Sequence, residues 1–128
     1  MKILGIGVDI VKNSRIKKSI NKNRFLEKIY SSKEIKDSKK KRNKVAFFSK
    51  RFAAKEAFSK ALGTGFTNGL KFKDISVFNK KHGKPAIKIN KSLKILMRKK
   101  FKTSKINALL SISDEKDYSI AYVVIEKK

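Results

Sequence analysis

Three side chains suited to phosphate chemistry stand at two places in this sequence. Asp9 lies in "GIGVDIV", and Glu56 and Lys60 lie in "RFAAKEAFSKALGTG", residues 51–65. Two carboxylates are the hard oxygen ligands that Mg2+ takes, and this ion keeps waters and phosphate oxygens as its remaining ligands. A lysine next to them adds a mobile point charge for the same phosphate. Each residue also has a plainer reading. Asp9 taken alone reads first as a strand-end aspartate opening a turn. Glu56 stands four residues before Lys60, the orientation of a helical surface pair worth about 0.2–0.5 kcal/mol. Against that pair stand Phe52, Ala53 and Ala57, which share Glu56's side of a helix. Small and apolar neighbours imply a packed carboxylate, and a packed carboxylate requires a counter-charge, from Lys60 or from a metal.

Other stretches carry weaker signals. "GTG" (Gly63, Thr64, Gly65) follows a helix pattern instead of preceding one, so it lacks the helix N-terminus of a phosphate loop. It reads as a helix stop, or as a place where backbone meets ligand closely. "GIG" lacks the third glycine of a dinucleotide fingerprint and runs on as strand. "HGKP" (His82 to Pro85) has the composition of a hairpin turn, in which Lys84 is either solvated or a phosphate contact. His82 is the sole histidine, which removes any two-histidine metal site. Ser111 and Ser113 alternate on one strand face and are followed by Asp114, with no spacing that makes a nucleophile triad.

Composition bounds the rest. The 128 residues are enough for one ordinary core, and 40% of them are hydrophobic, with nine Phe. A single domain over residues 1–128 is expected, since no repeat and no Pro/Gly/Ser-rich linker divides it. No apolar run approaches the roughly 18 residues of a membrane span. The short, glycine-broken opening does not have the form of an export signal. With no cysteine, disulfides, thiolate metal sites and cysteine nucleophiles are excluded, which fits a cytoplasmic protein. The net charge of +25 attracts polyanions, but the lysines are scattered along the whole chain. Most of that charge reads as lysine drift at neutral surface positions. The alternative class, a small basic nucleic-acid-binding domain, is disfavoured because the aromatic residues follow core periods and no basic–aromatic motif appears.

The elements that must position these residues follow from periodicity. "KILGIGVDIV" is a strand with Leu4, Ile6, Val8 and Ile10 on one face and Gly5, Gly7 and Asp9 on the other, where a ligand has room to approach the backbone. "SRIKKSI" and "RFLEKIY" are short helices, and "SSKE" at 31–34 is a capping box that opens a third. After the basic segment 38–44 the long helix runs from Val45 to Leu62, with Gly63 as its stop. "FKDISVFN" and "KPAIKIN" are strands around "KKHG", "SLKILMRKKF" is a helix, and "NALLSIS" and "DYSIAYVVIE" form a terminal hairpin. The order predicts an α+β fold, a largely antiparallel sheet packed on a long central helix.

Taken together, "GIGVDIVKNSR", "RFLEKIYSSKEI", "RFAAKEAFSKALGTG", "HGKP" and "SISDEKDYSIAYVVIE" resemble the compact bacterial holo-acyl-carrier-protein synthases of the 4′-phosphopantetheinyl transferase family, over nearly the whole chain. The resemblance implies Mg2+-dependent transfer of 4′-phosphopantetheine from coenzyme A to a serine of acidic apo-acyl carrier protein. The other product would be adenosine 3′,5′-bisphosphate, and the setting fatty acid biosynthesis. It implies that Asp9 and Glu56 hold the metal, with Lys60 beside it on phosphate. Arg51, Gly63, Thr64, Gly65, Gly83, Lys84 and Pro85 would line the nucleotide site. Arg15, Arg24 and Phe25 would receive the carrier. It further implies a homotrimer with active sites between subunits, no membrane and no specific nucleic acid. Where many relatives follow the serine strand with histidine, this chain has Asp114, which leaves Glu56, Lys60 or metal-bound water to take the serine's proton.

Overall fold

The structure, a computed structural model, describes residues 1–67 and 69–128. The chain order is β1 (Lys2–Lys12), α1 (Asn13–Ser19), α2 (Asn23–Ile29), α3 (Ser32–Ser38), α4 (Lys44–Leu62), β2 (Ile75–Asn79), β3 (Pro85–Ile89), α5 (Lys91–Phe101), β4 (Ile106–Asp114) and β5 (Tyr118–Lys127). The strands form two antiparallel sheets, β1-β5-β4 and β2-β3. The α+β class and the central helix are therefore as expected, with five strands among the described residues, divided three and two.

Helix α4 is well specified at both ends. Asn43 accepts a hydrogen bond from the Ala46 amide at 3.0 Å, and Gly63 ends the helix in the left-handed region at φ 87°. Between these caps the alanine-rich face (Ala53, Ala54, Ala57 and Ala61) is buried against the three-stranded sheet. Small side chains let helix and sheet approach closely, and the glycines of β1 complete that approach. A Cβ placed on Gly5 would lie 1.9 Å from the Ala61 carbonyl oxygen, and one on Gly7 would lie 2.0 Å from that of Ala57.

This corrects one expectation. The glycine face of β1, expected to leave room for a ligand, is occupied by α4. The opposite face, carrying the apolar alternation, is the open one: Ile6, Val8 and Ile10 are 59%, 52% and 58% exposed. Ile120 and Tyr122, register partners of Ile10 and Val8 on β5, continue that open apolar surface.

A second correction concerns "FKDISVFN". Phe72–Asp74 is a 3-10 turn, and the strand starts only at Ile75. Side chains hold that turn: the Asp74 carboxylate accepts from the Lys71 amide at 3.0 Å and from Asn90 Nδ2 at 2.7 Å. Lys55 Nζ donates to the Phe72 carbonyl at 3.1 Å.

The capping box at Ser31–Glu34 forms with both of its bonds, and its glutamate does more. Glu34 and Lys55 are both fully buried, with Nζ 2.7 Å from Oε1. The second carboxylate oxygen accepts from the Val77 amide at 3.1 Å, and Lys55 also donates to the Ile75 carbonyl. One buried ion pair thus joins α3, α4, the 3-10 turn and β2. Each charge is surrounded by hydrogen-bonding partners, the condition under which a buried pair is tolerated.

Candidate active site

Asp9 shares its strand face with Gly5 and Gly7, so the contact those glycines make carries its carboxylate to the C-terminal half of α4. There Lys60 Nζ donates to Asp9 Oδ1 at 3.2 Å and to the Val8 carbonyl at 3.0 Å. Glu56 lies one turn before Lys60. Burial holds both carboxyls above their ordinary pKa. At Glu56 the negative charge of Asp9 adds to the rise, opposed by Lys60 and Arg15. At Asp9 the Lys60 hydrogen bond, its charge and that of Arg15 oppose the rise. Two carboxylates separated by 47 positions of sequence thus meet in space, half-buried and close enough to repel, with two cations at their margin.

That arrangement suits a hard divalent cation. Like-charged carboxylates in a partly dry setting gain most from a 2+ charge between them. Among the described residues no group of three or more His, Cys, Asp or Glu side chains comes together. An ion held here would take two protein oxygens and complete its shell with water and phosphate, the pattern of Mg2+ rather than of an all-protein cage.

The residues expected at a nucleotide fall in two places. Arg51 is buried on α4, its guanidinium 3.6 Å over the Phe47 ring. Its Nη2 donates to Asn79 Oδ1 at 2.8 Å, and Asn79 Nδ2 donates to the Gly83 carbonyl at 2.9 Å. A small cavity of about 160 Å³ touches Lys50, Arg51, Asn79, Gly83, Pro85 and Asp114, and includes neither Asp9 nor Glu56. Burial lowers the pKa of Arg51, Glu34 and Asp37 act against that, and no carboxylate lies within ion-pair distance among the described residues. Lys84 is exposed in the turn. Gly63, Thr64 and Gly65 lie at the other end of α4; Thr64 Oγ1 donates to the Gly65 carbonyl at 3.0 Å, and Gly65 has φ 61°.

The residues expected to meet a carrier also divide. Arg15 on α1 reaches the carboxylate pair electrostatically, as noted above, and Arg24 on α2 is exposed. Phe25 is only partly buried, but its ring packs between Tyr30 (6.0 Å) and Phe52 (6.3 Å). His82 is exposed, as its turn composition indicated.

Three residues that shape the site were not singled out from sequence. Asn79 links Arg51 to the β2–β3 turn, and Lys55 anchors α4 immediately before Glu56. Asn13 ties the end of β1 to the β4–β5 turn, donating to the Glu115 and Lys116 carbonyls at 3.2 and 3.1 Å. Each bond spans a long stretch of chain and leaves no local pattern.

Comparison with known proteins identifies the family and its fold. A family model described as the 4′-phosphopantetheinyl transferase superfamily matches residues 5–123. The holo-[acyl-carrier-protein] synthase of Pelagibacter ubique is 58% identical over 128 residues, covering all of both chains. The crystal structure of the Neisseria meningitidis holo-[acyl-carrier-protein] synthase has a TM-score of 0.88 at 35% identity, covering 98% of this chain and 99% of that one. That of the Bacillus anthracis enzyme, in complex with CoA (3′,5′-ADP), has a TM-score of 0.82 at 35% identity over the full length of both. The chain belongs to the 4′-phosphopantetheinyl transferase superfamily, within its bacterial holo-[acyl-carrier-protein] synthases.

Proposed function

We propose that the chain transfers 4′-phosphopantetheine from coenzyme A to a serine of an acidic apo-acyl carrier protein, with Mg2+ held by Asp9 and Glu56, releasing adenosine 3′,5′-bisphosphate. The observation that carries the reading is the meeting of Asp9, Glu56 and Lys60, joined to family membership over almost the whole chain. When bound, a divalent ion would neutralise charge on the diphosphate of coenzyme A. The protein's own groups do the rest. Two of the three Lys60 protons are engaged by Val8 and Asp9, leaving one to donate to a phosphoryl oxygen. Half-burial of the pair strengthens its interactions with the reacting phosphate. Proton removal from the carrier serine falls to Glu56, one helical turn before Lys60, because the Lys60 ammonium carries three donors and no acceptor.

Arg51, Gly83 and Pro85 line a cavity that includes neither Asp9 nor Glu56, and the outer face of the three-stranded sheet is apolar and open. Both features support a homotrimer in which one subunit's Arg51 and turn complete its neighbour's metal pair. Exposed apolar surface of this kind ordinarily marks an interface. Cytoplasmic residence and a role in fatty acid biosynthesis accompany this reading, and no helix among the described residues is long and apolar enough to cross a membrane. A nucleic-acid-binding domain is not favoured, because Phe47, Phe48 and Phe58 are buried and Phe25, Phe52, Phe66, Phe72 and Phe101 pack on the core.

The test is incubation of the protein with coenzyme A, Mg2+ and an apo-acyl carrier protein. The carrier should gain the mass of phosphopantetheine, and only when the metal is present. Failure with a carrier that another transferase modifies would overturn the reading.

A further inference from the structure

The β4–β5 turn, residues 115–117, projects beyond the sheet. Pairing of β5 stops at Tyr118 on the β1 side and at Ser119, the partner of Asp114, on the β4 side. A gap of about 590 Å³ lies between this turn and the first turns of α1 and α4, where Ser14 and Ala46 belong to its lining. Packing against those helices therefore does not set where the turn sits. The turn closes by itself, since the Glu115 amide donates to the Tyr118 carbonyl at 2.9 Å.

One side chain crosses the gap. Asn13, 7% exposed at the start of α1, donates from Nδ2 to the Glu115 and Lys116 carbonyls at 3.2 and 3.1 Å. Its Oδ1 accepts from the hydroxyl of the fully buried Ser119 at 2.8 Å, and its amide donates to the Asp117 carbonyl at 2.8 Å. Both N–H groups of the side-chain amide are thus used. These bonds are not needed to form the hairpin. They fix its end relative to α1.

What they fix in particular is Asp114, which lines the gap and also the small cavity of Arg51, Gly83 and Pro85. Lys50 and Arg51 line that cavity too, yet Asp114 has no cation within ion-pair distance among the described residues. An ionised carboxylate only accepts hydrogen bonds. Beside two cations it repels phosphate and takes N–H or O–H groups of a ligand.

We propose that Asn13 is a positioning residue for coenzyme A, and this rests on the transferase reading above. Asn13 touches no substrate. It holds Asp114 where the carboxylate accepts from the amino and hydroxyl groups of the coenzyme's nucleoside and turns the phosphates to the cationic side of the cavity.

Adenosine 3′,5′-bisphosphate is the probe, titrated into the full-length protein by calorimetry, with steady-state carrier modification measured beside it. Asn13→Leu keeps the approximate size and loses every side-chain bond. The Kd of the probe and the KM for coenzyme A should both rise about two- to tenfold, with kcat and the KM for carrier unchanged. In an Asp114→Ala background Asn13→Leu should add nothing, because a residue that acts through another is not additive with it. Ser119→Ala removes one bond, keeps both Nδ2 bonds and should give a smaller rise in the same direction. It decides the matter if Asn13→Leu does not fold. The proposal is overturned by parental nucleotide affinity in the folded variants, by a fall in kcat at constant KM, or by an Asn13→Leu effect that persists without Asp114. If the parent modifies no carrier, the transferase reading fails instead, and the probe titration still reads the link between Asn13 and Asp114.

Discussion

Gly7 lies so close to Ala57 that an added Cβ would sit 2.0 Å from the Ala57 carbonyl oxygen and 2.6 Å from the Ala61 amide nitrogen. That contact brings β1 onto α4 and sets Asp9 beside Glu56 and Lys60. Backbone atoms of a capped helix cannot yield as a side chain would. Gly7→Ala is expected to cost at least about 3 kcal/mol, lowering the midpoint of thermal unfolding by roughly 10 °C or more. Denaturant unfolding checks this; an unchanged midpoint would mean that the strand is not seated on α4 as described.

Glu56→Gln removes one carboxylate from the pair while keeping its size. Turnover should fall by about 10²-fold or more, because two ligands to the ion become one. Without divalent ions the variant should be as stable as the parent or slightly more so, since burial and Asp9 both work against the Glu56 charge. Steady-state rates and melting in EDTA separate the two effects. A clear loss of stability in EDTA would identify Glu56 as a structural ion-pair residue instead.

The Glu34–Lys55 pair should behave as a buried unit. Lys55→Met alone leaves a fully buried carboxylate without its main partner and should cost about 3–5 kcal/mol. Adding Glu34→Gln should recover much of that loss, because the charge then disappears with its counter-charge. A double-mutant cycle by urea unfolding checks it; additive losses would show that the two charges are not coupled.

Acidity should act through the carboxylate pair with a definite sign. Both groups hold protons more tightly in the fold than at their ordinary values of 3.8 and 4.5. Their protonated forms favour folding below those values, and that contribution is lost as pH rises through the raised folded pKa values. Divalent ions need both groups ionised. The stabilisation given by Mg2+, measured as the gap between melting curves with Mg2+ and with EDTA, should therefore shrink on acidification before ordinary carboxylates titrate. A gap that stays constant down to the ordinary carboxylate range would contradict this.

Arg15 and Arg24 should be distinguishable. Both replacements by Ala are expected to raise the KM for an acidic carrier by severalfold, through lost steering and contact. Only Arg15 lies where its charge reaches Asp9 and Glu56, so Arg15→Ala alone should also move the acidic limb of the pH–rate profile upward. Identical profiles for the two variants would remove Arg15 from the neighbourhood of the pair.

Much of this architecture is legible in the sequence because its causes are local. The Ser31–Glu34 capping box, the Gly63 stop and the alternation of β1 and β5 each declare an element within a few residues. The alternation of β1 shows which side chains share a face, but not which face its own chain covers. The apolar face of Ile6, Val8 and Ile10 therefore lies open where a buried one would be the ordinary reading. The Phe72–Asp74 turn interrupts an apparent strand because Asp74 and Lys55 bond its backbone. The Asn79 bridge to Arg51 joins residues 28 apart and follows from packing alone.

Binding of Mn2+, an EPR-visible substitute for Mg2+, in the presence of coenzyme A probes the Asp9–Glu56 pair itself. One tightly held ion per active site is expected, with magnetic coupling to diphosphate phosphorus, and its affinity should fall about tenfold or more in both Asp9→Asn and Glu56→Gln. Unchanged affinity and coupling in both variants would place the ion elsewhere and leave these carboxylates without a catalytic role.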